Sequence, residues 1–257
     1  SMDWRRPPRR RELRLLLVTV LLGAAWTWGP QVPEALAGME AFRVTEIEIE
    51  GLRYLKRSAV LETMRVGPET SVWGDLDSWA EALLTHPLVR TVQVQRRIPH
   101  TLVISIGERV PVALVSTPTV EPVDRDGVRL PLDPAEHSFD LPLVDVGRAP
   151  AAGSRLLPRR ARELVAEVAR LMSVDIAFLQ MVSEVRWGER RSIVARGVDP
   201  DVVFLLPLGV SPERLREGLN ALAHALSNAP GEVPEVIDLR FADQVVVRRT
   251  SGKASDS

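Results

Sequence analysis

The chain has 257 residues, of which 45% are hydrophobic and 26% charged, and 33 Lys and Arg against 34 Asp and Glu leave a net charge of -1. That composition excludes a disordered chain and argues against a polyanion binder. The absence of cysteine excludes disulfide scaffolds, zinc knuckles, iron–sulfur centres and thiol nucleophiles.

Charge is concentrated at the start. Residues 1–14 carry six arginines (5, 6, 9, 10, 11 and 14) against Asp3 and Glu12, a local balance of +4. An uncharged apolar run from Leu15 to Trp28 follows, and the next basic residue is Arg43. By the positive-inside rule the arginines stay cytoplasmic and everything after Trp28 crosses the membrane. Residues 15–29 therefore read as a transmembrane helix and 1–14 as a cytoplasmic basic tail. Leu13 to Gly29 would span roughly 25 Å, the short limit for a hydrocarbon core of ~30 Å. A cleaved signal peptide is the rival reading, because Ala35-Leu36-Ala37 has the small-x-small form of a cleavage site. A retained anchor is favoured by the twelve residues between Ala25 and Gly38, which include two prolines and two tryptophans. Both readings place residues 38–257 outside the cytoplasm.

Residues 30–41 form a Pro- and Ala-rich juxtamembrane linker. Beyond it, Thr45 to Glu50 alternates strictly, with Ile47 and Ile49 inward and glutamates outward. Ser58 to Met64 has helical spacing, and Asp75 to His86 repeats it with Leu76, Trp79, Ala80, Leu83 and Leu84 on one stripe. Val89–Arg97 and Thr101–Gly107 then alternate as strands, joined by Arg97-Ile98-Pro99-His100. Leu102, Ile104 and Ile106 face the core. The order over residues 42–113 is β-α-α-β-β, closed by Pro111 and Val112 as a stiff turn into the next unit.

Residues 114–250 read as a mostly antiparallel β domain with two helices, so the whole chain is α+β. Strands are predicted at Thr119–Val123 and Val128–Leu132 around the Asp124-Arg125-Asp126-Gly127 turn. Further strands are predicted at Leu141–Val146, Val182–Trp187, Arg191–Arg196, Asp201–Leu206, Val236–Phe241 and Gln244–Arg249. Amphipathic helices are predicted over Pro158–Met172 and Pro212–Asn228. Residues 251–257 are a small polar tail.

Signals for chemistry are weak. Asp124-x-Asp126-Gly127 lacks the Gly and Glu that an EF-hand needs at its sixth and twelfth positions and reads as a hairpin turn. The four histidines (His86, His100, His137, His224) fall in different elements with no i, i+4 pair. No nucleophile elbow or phosphate loop appears. No catalytic, cofactor-binding or metal site is predicted. What stands out is Val245-Val246-Val247 near the end of the chain. As a central strand it would be buried on both faces; as an edge its unpaired main-chain groups would be a template for a partner strand.

The run from His86 to Ala113, with Thr101-Leu102-x-Ile104 and Glu108-Arg109-x-Pro111-Val112-Ala113, resembles the end of a POTRA domain of the FtsQ/DivIB cell-division family. Val44-x-x-Ile47-x-Ile49-x-Gly51 resembles the start of that domain. The second half is similar to the family's β domain through Val123-Asp124-x-x-Gly127, Leu141-Pro142-Leu143-Val144, Arg190-Arg191-Ser192, Leu208-Gly209 and Ile237-Asp238-Leu239-Arg240-Phe241. It departs in its last turn, Ala242-Asp243-Gln244, which lacks Gly, and in a last strand without an aromatic residue.

The resemblance implies a non-enzymatic, single-pass divisome protein of the bacterial inner membrane, with its C-terminus outside the cytoplasm at the septum. Its implied partners are FtsB (DivIC) with FtsL, indirectly the septal synthases FtsW and FtsI, and other divisome proteins through the POTRA domain. Neither nucleic acid nor a small-molecule substrate is implied. The implied partner site is Gln244, Val245, Val246 and Val247 on the last strand, with Arg240 and Phe241 before it. Arg190 and Arg191 are expected nearby on a neighbouring strand. A POTRA-bearing transport or outer-membrane assembly component is the alternative, but it would require tandem units or a barrel of alternating strands.

Overall fold

The structure, a computed structural model, describes residues 40–67, 69–116, 119–147, 154–229 and 232–249. The predicted basic tail, the transmembrane segment and nearly all of the linker lie outside those residues, as does the polar tail. Among the described residues no helix is long and apolar enough to cross a membrane. The chain divides into two units between Glu108 and Arg109.

The first unit follows the predicted order: β1 (Glu46–Glu50), α1 (Arg57–Met64), α2 (Leu76–Leu84), β2 (Val89–Arg97) and β3 (Thr101–Glu108). Its sheet runs β1-β3-β2, with β1 parallel and β2 antiparallel to β3. Alternation along the central strand buries Leu102, Ile104 and Ile106, and Val60, Met64 and Leu83 of the helices are buried as well. Asp75 starts α2 by accepting from the N–H groups of Asp77 (3.1 Å) and Ser78 (3.2 Å), satisfying donors that the first turn leaves free. Leu84, predicted on the buried stripe, is 48% exposed. Glu108 ends β3 and accepts from three consecutive main-chain donors, Arg53, Tyr54 and Leu55, at 2.8–3.0 Å. These bonds fix the loop that leads into α1.

The second unit is one eight-stranded sheet: β4 (Pro111–Ser116), β5 (Val120–Asp124), β6 (Leu143–Val144), β7 (Val182–Trp187), β8 (Ile193–Gly197), β9 (Val203–Leu206), β10 (Val236–Asp238) and β11 (Val246–Arg248). Helices α3 (Arg159–Val174), α4 (Ile176–Gln180) and α5 (Pro212–Asn228) accompany it. The order across the sheet is β11-β10-β9-β8-β7-β6-β4-β5. Leu164, Val165, Val168 and Leu171 of α3 share a core with Leu215 and Leu222 of α5 and with Val185, Ile193, Phe204 and Ile237 of the sheet. Phe178 of α4 meets Phe204 edge to face at 5.1 Å between centroids.

Four readings need correction. The sheet is mixed rather than mostly antiparallel: β4–β6, β6–β7 and β9–β10 pair parallel, and four other pairs antiparallel. The physical reason is that α3 and α4 stand between β6 and β7, and α5 between β9 and β10. A helical crossover returns the chain to the end where it started, so the flanking strands run the same way. The unit has three helices, not two, the third being the five-residue α4. Pro111 and Val112 do not close the first unit; they open β4, whose Ala113 and Val115 are fully buried in the second core. Finally, Val128–Leu132 forms only isolated bridges (Val123 with Arg129, Val128 with Leu156), although the preceding turn is present as predicted. In that turn Gly127 has φ +75°, and a Cβ there would lie 2.5 Å from Arg162 Cγ.

Candidate partner-binding edge

The two edges of the large sheet differ. β5 carries Pro122 and is covered by the following segment: Asp124 N–H donates to Val128 (3.0 Å) and Leu130 N–H to Pro122 (2.8 Å). β11 is the opposite edge, and among the described residues no strand lies beyond it. The register settles which of its main-chain groups are free. Glu235 C=O accepts from Val203, and Leu239 N–H donates to Leu205, so Ile237 between them faces β9. Val236 and Asp238 therefore face β11, directly opposite Arg248 and Val246. Just before β10, Glu235 N–H turns to the other side and donates to Arg248 C=O at 2.9 Å, which shows that this carbonyl of β11 points inward. By alternation Val247 turns its N–H and C=O away from the sheet.

Side chains alternate on the same register. Val245 and Val247 pack on the core shared with α5, while Val246 lies half-buried on the opposite face beside Asp238. Gln244 is exposed ahead of the strand. The predicted strand Gln244–Arg249 is thus shorter, and its freely exposed main chain belongs to Val247 rather than Val246.

Phe241, 46% exposed, projects from the connector between β10 and β11. Arg240 is less available than predicted. Its guanidinium makes a bidentate pair with Asp238 (2.9 and 2.7 Å), and its own N–H donates to the same carboxylate at 3.1 Å. The side chain of Asp238 is fully buried, and Arg248 of β11 approaches it to 3.7 Å. The bonds from Arg240, then from Arg248 at longer range, hold this carboxyl below its ordinary value despite burial, which acts the other way. This fold-back also ends β10 at Asp238, three residues short of the predicted Phe241.

Arg190 and Arg191 do not lie on a neighbouring strand. They occupy the 3-10 turn Glu189–Arg191 between β7 and β8, with φ of 53° and 58°. Two consecutive left-handed residues cannot continue a pleated strand. The turn nevertheless brings them to the terminal connector. Arg190, Arg191, Arg240 and Phe241, with Glu189 and Pro207, line one cleft of about 460 Å³. Arg191 is largely exposed and reaches Glu163 only at 3.7 Å. The site is therefore a bare strand edge with an exposed aromatic ring and a basic cleft at one end. Such a site can take an extended segment by main-chain bonds, with an apolar and an acidic side chain at its flank.

Sequence reasoning missed one residue that builds this site. Arg214 of α5 donates to the carbonyls of Leu239, Phe241 and Gln244, the connector on which Phe241 stands. It lies in the charged run Glu213-Arg214-Leu215-Arg216-Glu217, which reads as a solvated helix face, so no signal singled it out.

A sequence model of the POTRA domain, FtsQ-type, matches residues 42–109. Over longer stretches the chain is similar to proteins named cell division protein FtsQ. It is 30% identical to that of Rhodothermus marinus, over 93% of this chain and 88% of the relative. It is 30% identical to that of an Anaeromyxobacter species, over 95% and 84%. To that of Geotalea daltonii it is 27% identical, over 89% and 84%. A first unit matched by the FtsQ-type model and full-length similarity at this level place the chain in one family: it belongs to the FtsQ family of cell-division proteins.

Proposed function

We propose that this chain is a non-enzymatic scaffold of the divisome that captures the extracytoplasmic part of FtsB, with its companion FtsL, by strand addition to β11. The observation that carries the reading is the bare edge at Val247, in a family member whose other sheet edge is covered. A partner strand there would bond to the outward main-chain groups of Val247. Its flank would meet Phe241 and the cleft of Arg190, Arg191 and Arg240. An acidic partner residue opposite Arg191 would form a charge-assisted pair contributing about 1.5–3 kcal/mol.

In this reading the POTRA unit recruits other divisome proteins, and the bound pair brings the septal synthases FtsW and FtsI under control at midcell. Residues 15–29 anchor the chain in the inner membrane with residues 1–14 cytoplasmic. The arginine cluster before the apolar run supports that orientation. A reporter that fluoresces only in the cytoplasm, fused after Ser257, is then dark; a bright fusion overturns the topology.

The test of partner capture is calorimetric titration of the purified full chain with the extracytoplasmic segment of the source organism's FtsB. Wild type binds, and Arg191→Glu binds at least about tenfold more weakly while staying folded. Absence of binding to wild type, or equal affinity in Arg191→Glu, contradicts the reading.

A further inference from the structure

β11 is short for a docking strand. Only Val246, Val247 and Arg248 pair with β10, and a three-residue ladder has little cooperativity of its own. Its pose must be set by something else, and the connector before it is exposed from Phe241 to Gln244. Exposed connectors with few apolar contacts open locally at low free energy.

One side chain opposes that opening. The side chain of Arg214 is only 14% exposed. Its Nε donates to Leu239 C=O at 3.4 Å, and a single terminal nitrogen donates to both Phe241 and Gln244 C=O. Those last two carbonyls bracket Ala242-Asp243, so one guanidinium clips the connector shut from beneath. The helix is brought within reach by Gly218, one turn on from Arg214. A Cβ at Gly218 would lie 2.7 Å from Leu239 Cδ1, so a larger residue would make the Leu239 side chain or the helix give way. Glu217 pairs with Arg214 from the solvent side and keeps the guanidinium oriented.

We infer that Arg214 is a positioning residue for the partner site: it touches no partner but holds the connector and β11 in the conformation a partner strand requires. The inference rests on the reading of β11 as the docking edge, and deepens it. Without the clip the binding-competent pose is only fractionally populated, and apparent affinity falls by that fraction. Lysine could replace the charge but serves one carbonyl at a time from a point-like ammonium, whereas the planar fork serves three.

The test uses the full chain with Arg214→Met, which keeps the apolar stem, and Arg214→Lys. Two readouts are required: affinity for the FtsB extracytoplasmic segment, and amide hydrogen exchange of the free protein. The inference predicts affinity about tenfold weaker for Arg214→Met and intermediate for Arg214→Lys. It also predicts faster exchange at the inward amides of Val246 and Arg248, with β7 and β8 unchanged. Affinity within twofold of wild type in Arg214→Met overturns it. So does faster exchange spread evenly through the unit, which would make Arg214 a general stabiliser. If wild type itself does not bind the segment, the docking reading fails, and exchange at Val246 and Arg248 still decides whether Arg214 sets the edge.

Discussion

The guanidinium of Arg109 pairs with Asp124, whose side chain is 2% exposed and which also accepts from the N–H groups of Asp126 (3.0 Å) and Val128 (2.8 Å). One residue earlier, Glu108 takes the three N–H groups of residues 53–55. The Glu-Arg of the Glu108-Arg109-x-Pro111-Val112-Ala113 motif is thus divided between the units. The acid organises the first, and the base organises the turn after β5 in the second. The two adjacent charges have separate structural work, so the dipeptide is more than a solvated linker.

Substitutions at these neighbours should therefore act on different units. Glu108→Ala leaves three donors without their acceptor and should speed amide exchange at Arg53, Tyr54 and Leu55. Arg109→Ala should leave those amides alone and loosen Asp126 and Val128, at a cost of roughly 1.5–3 kcal/mol to the second unit. Exchange that rises in the same unit for both variants would contradict the division.

Ile104 is fully buried at the centre of the first sheet. Ile104→Asp should bury a carboxylate without a partner and cost several kcal/mol or force its neutralisation. The expected result is loss of the first unit's protected amides while those of β7 and β8 persist. An unchanged thermal transition would contradict the assigned inward face.

Val246 and Val247 should respond oppositely to proline. Val246→Pro removes an N–H directed at β10 and should cost about 1–3 kcal/mol, freeing the terminal strand. Val247→Pro removes an outward N–H that no strand among the described residues uses, so the fold should survive while partner-strand pairing is blocked. Circular dichroism melting, alongside titration with the FtsB segment, separates the two. A stable Val246→Pro with a collapsed Val247→Pro would mean the register is reversed.

The buried Asp238 makes the edge sensitive to acid. Its folded value is depressed, first by the bonds from Arg240. Such a group contributes stability that is complete above its unfolded value near ~4 and is lost as pH falls through the folded one. Exchange at Val246 should therefore be flat from pH 7 to about pH 5, after correction for intrinsic rates, and should rise selectively below about pH 4. Asp238→Asn should abolish that step, since its amide does not titrate. A step retained in Asp238→Asn would assign it to another carboxyl.

Long periodic segments were legible in the residues. β7 and α5 occupy their predicted bounds, and Leu102, Ile104 and Ile106 face inward as their alternation requires. The short terminal elements were not, because side-chain bonds rather than periodicity decide them. Asp238 draws Arg240 back and ends β10; the left-handed positions of the turn after Gly188 fall on Arg190 and Arg191 rather than on a glycine. α4 has five residues, too few for a period, and its one signal is Asp175, which accepts from Phe178 N–H at 2.9 Å. Parallel pairing could not be read from strand patterns that look alike in either direction. Of the candidate site, the valines stand out in the residues as an apolar run near the end of the chain, whereas Arg214 is legible only in three dimensions.

The central claim is that the outward main chain of β11 takes a partner strand, and the amide of Val247 reports on it directly. Hydrogen exchange of the full chain is measured with and without a saturating FtsB extracytoplasmic segment. Strand addition predicts that Val247 N–H, fast in the free protein, becomes strongly protected on binding, while the inward amide of Val246 changes little. Saturating binding that leaves Val247 exchanging as fast as before would contradict the claim and place the partner elsewhere on the chain.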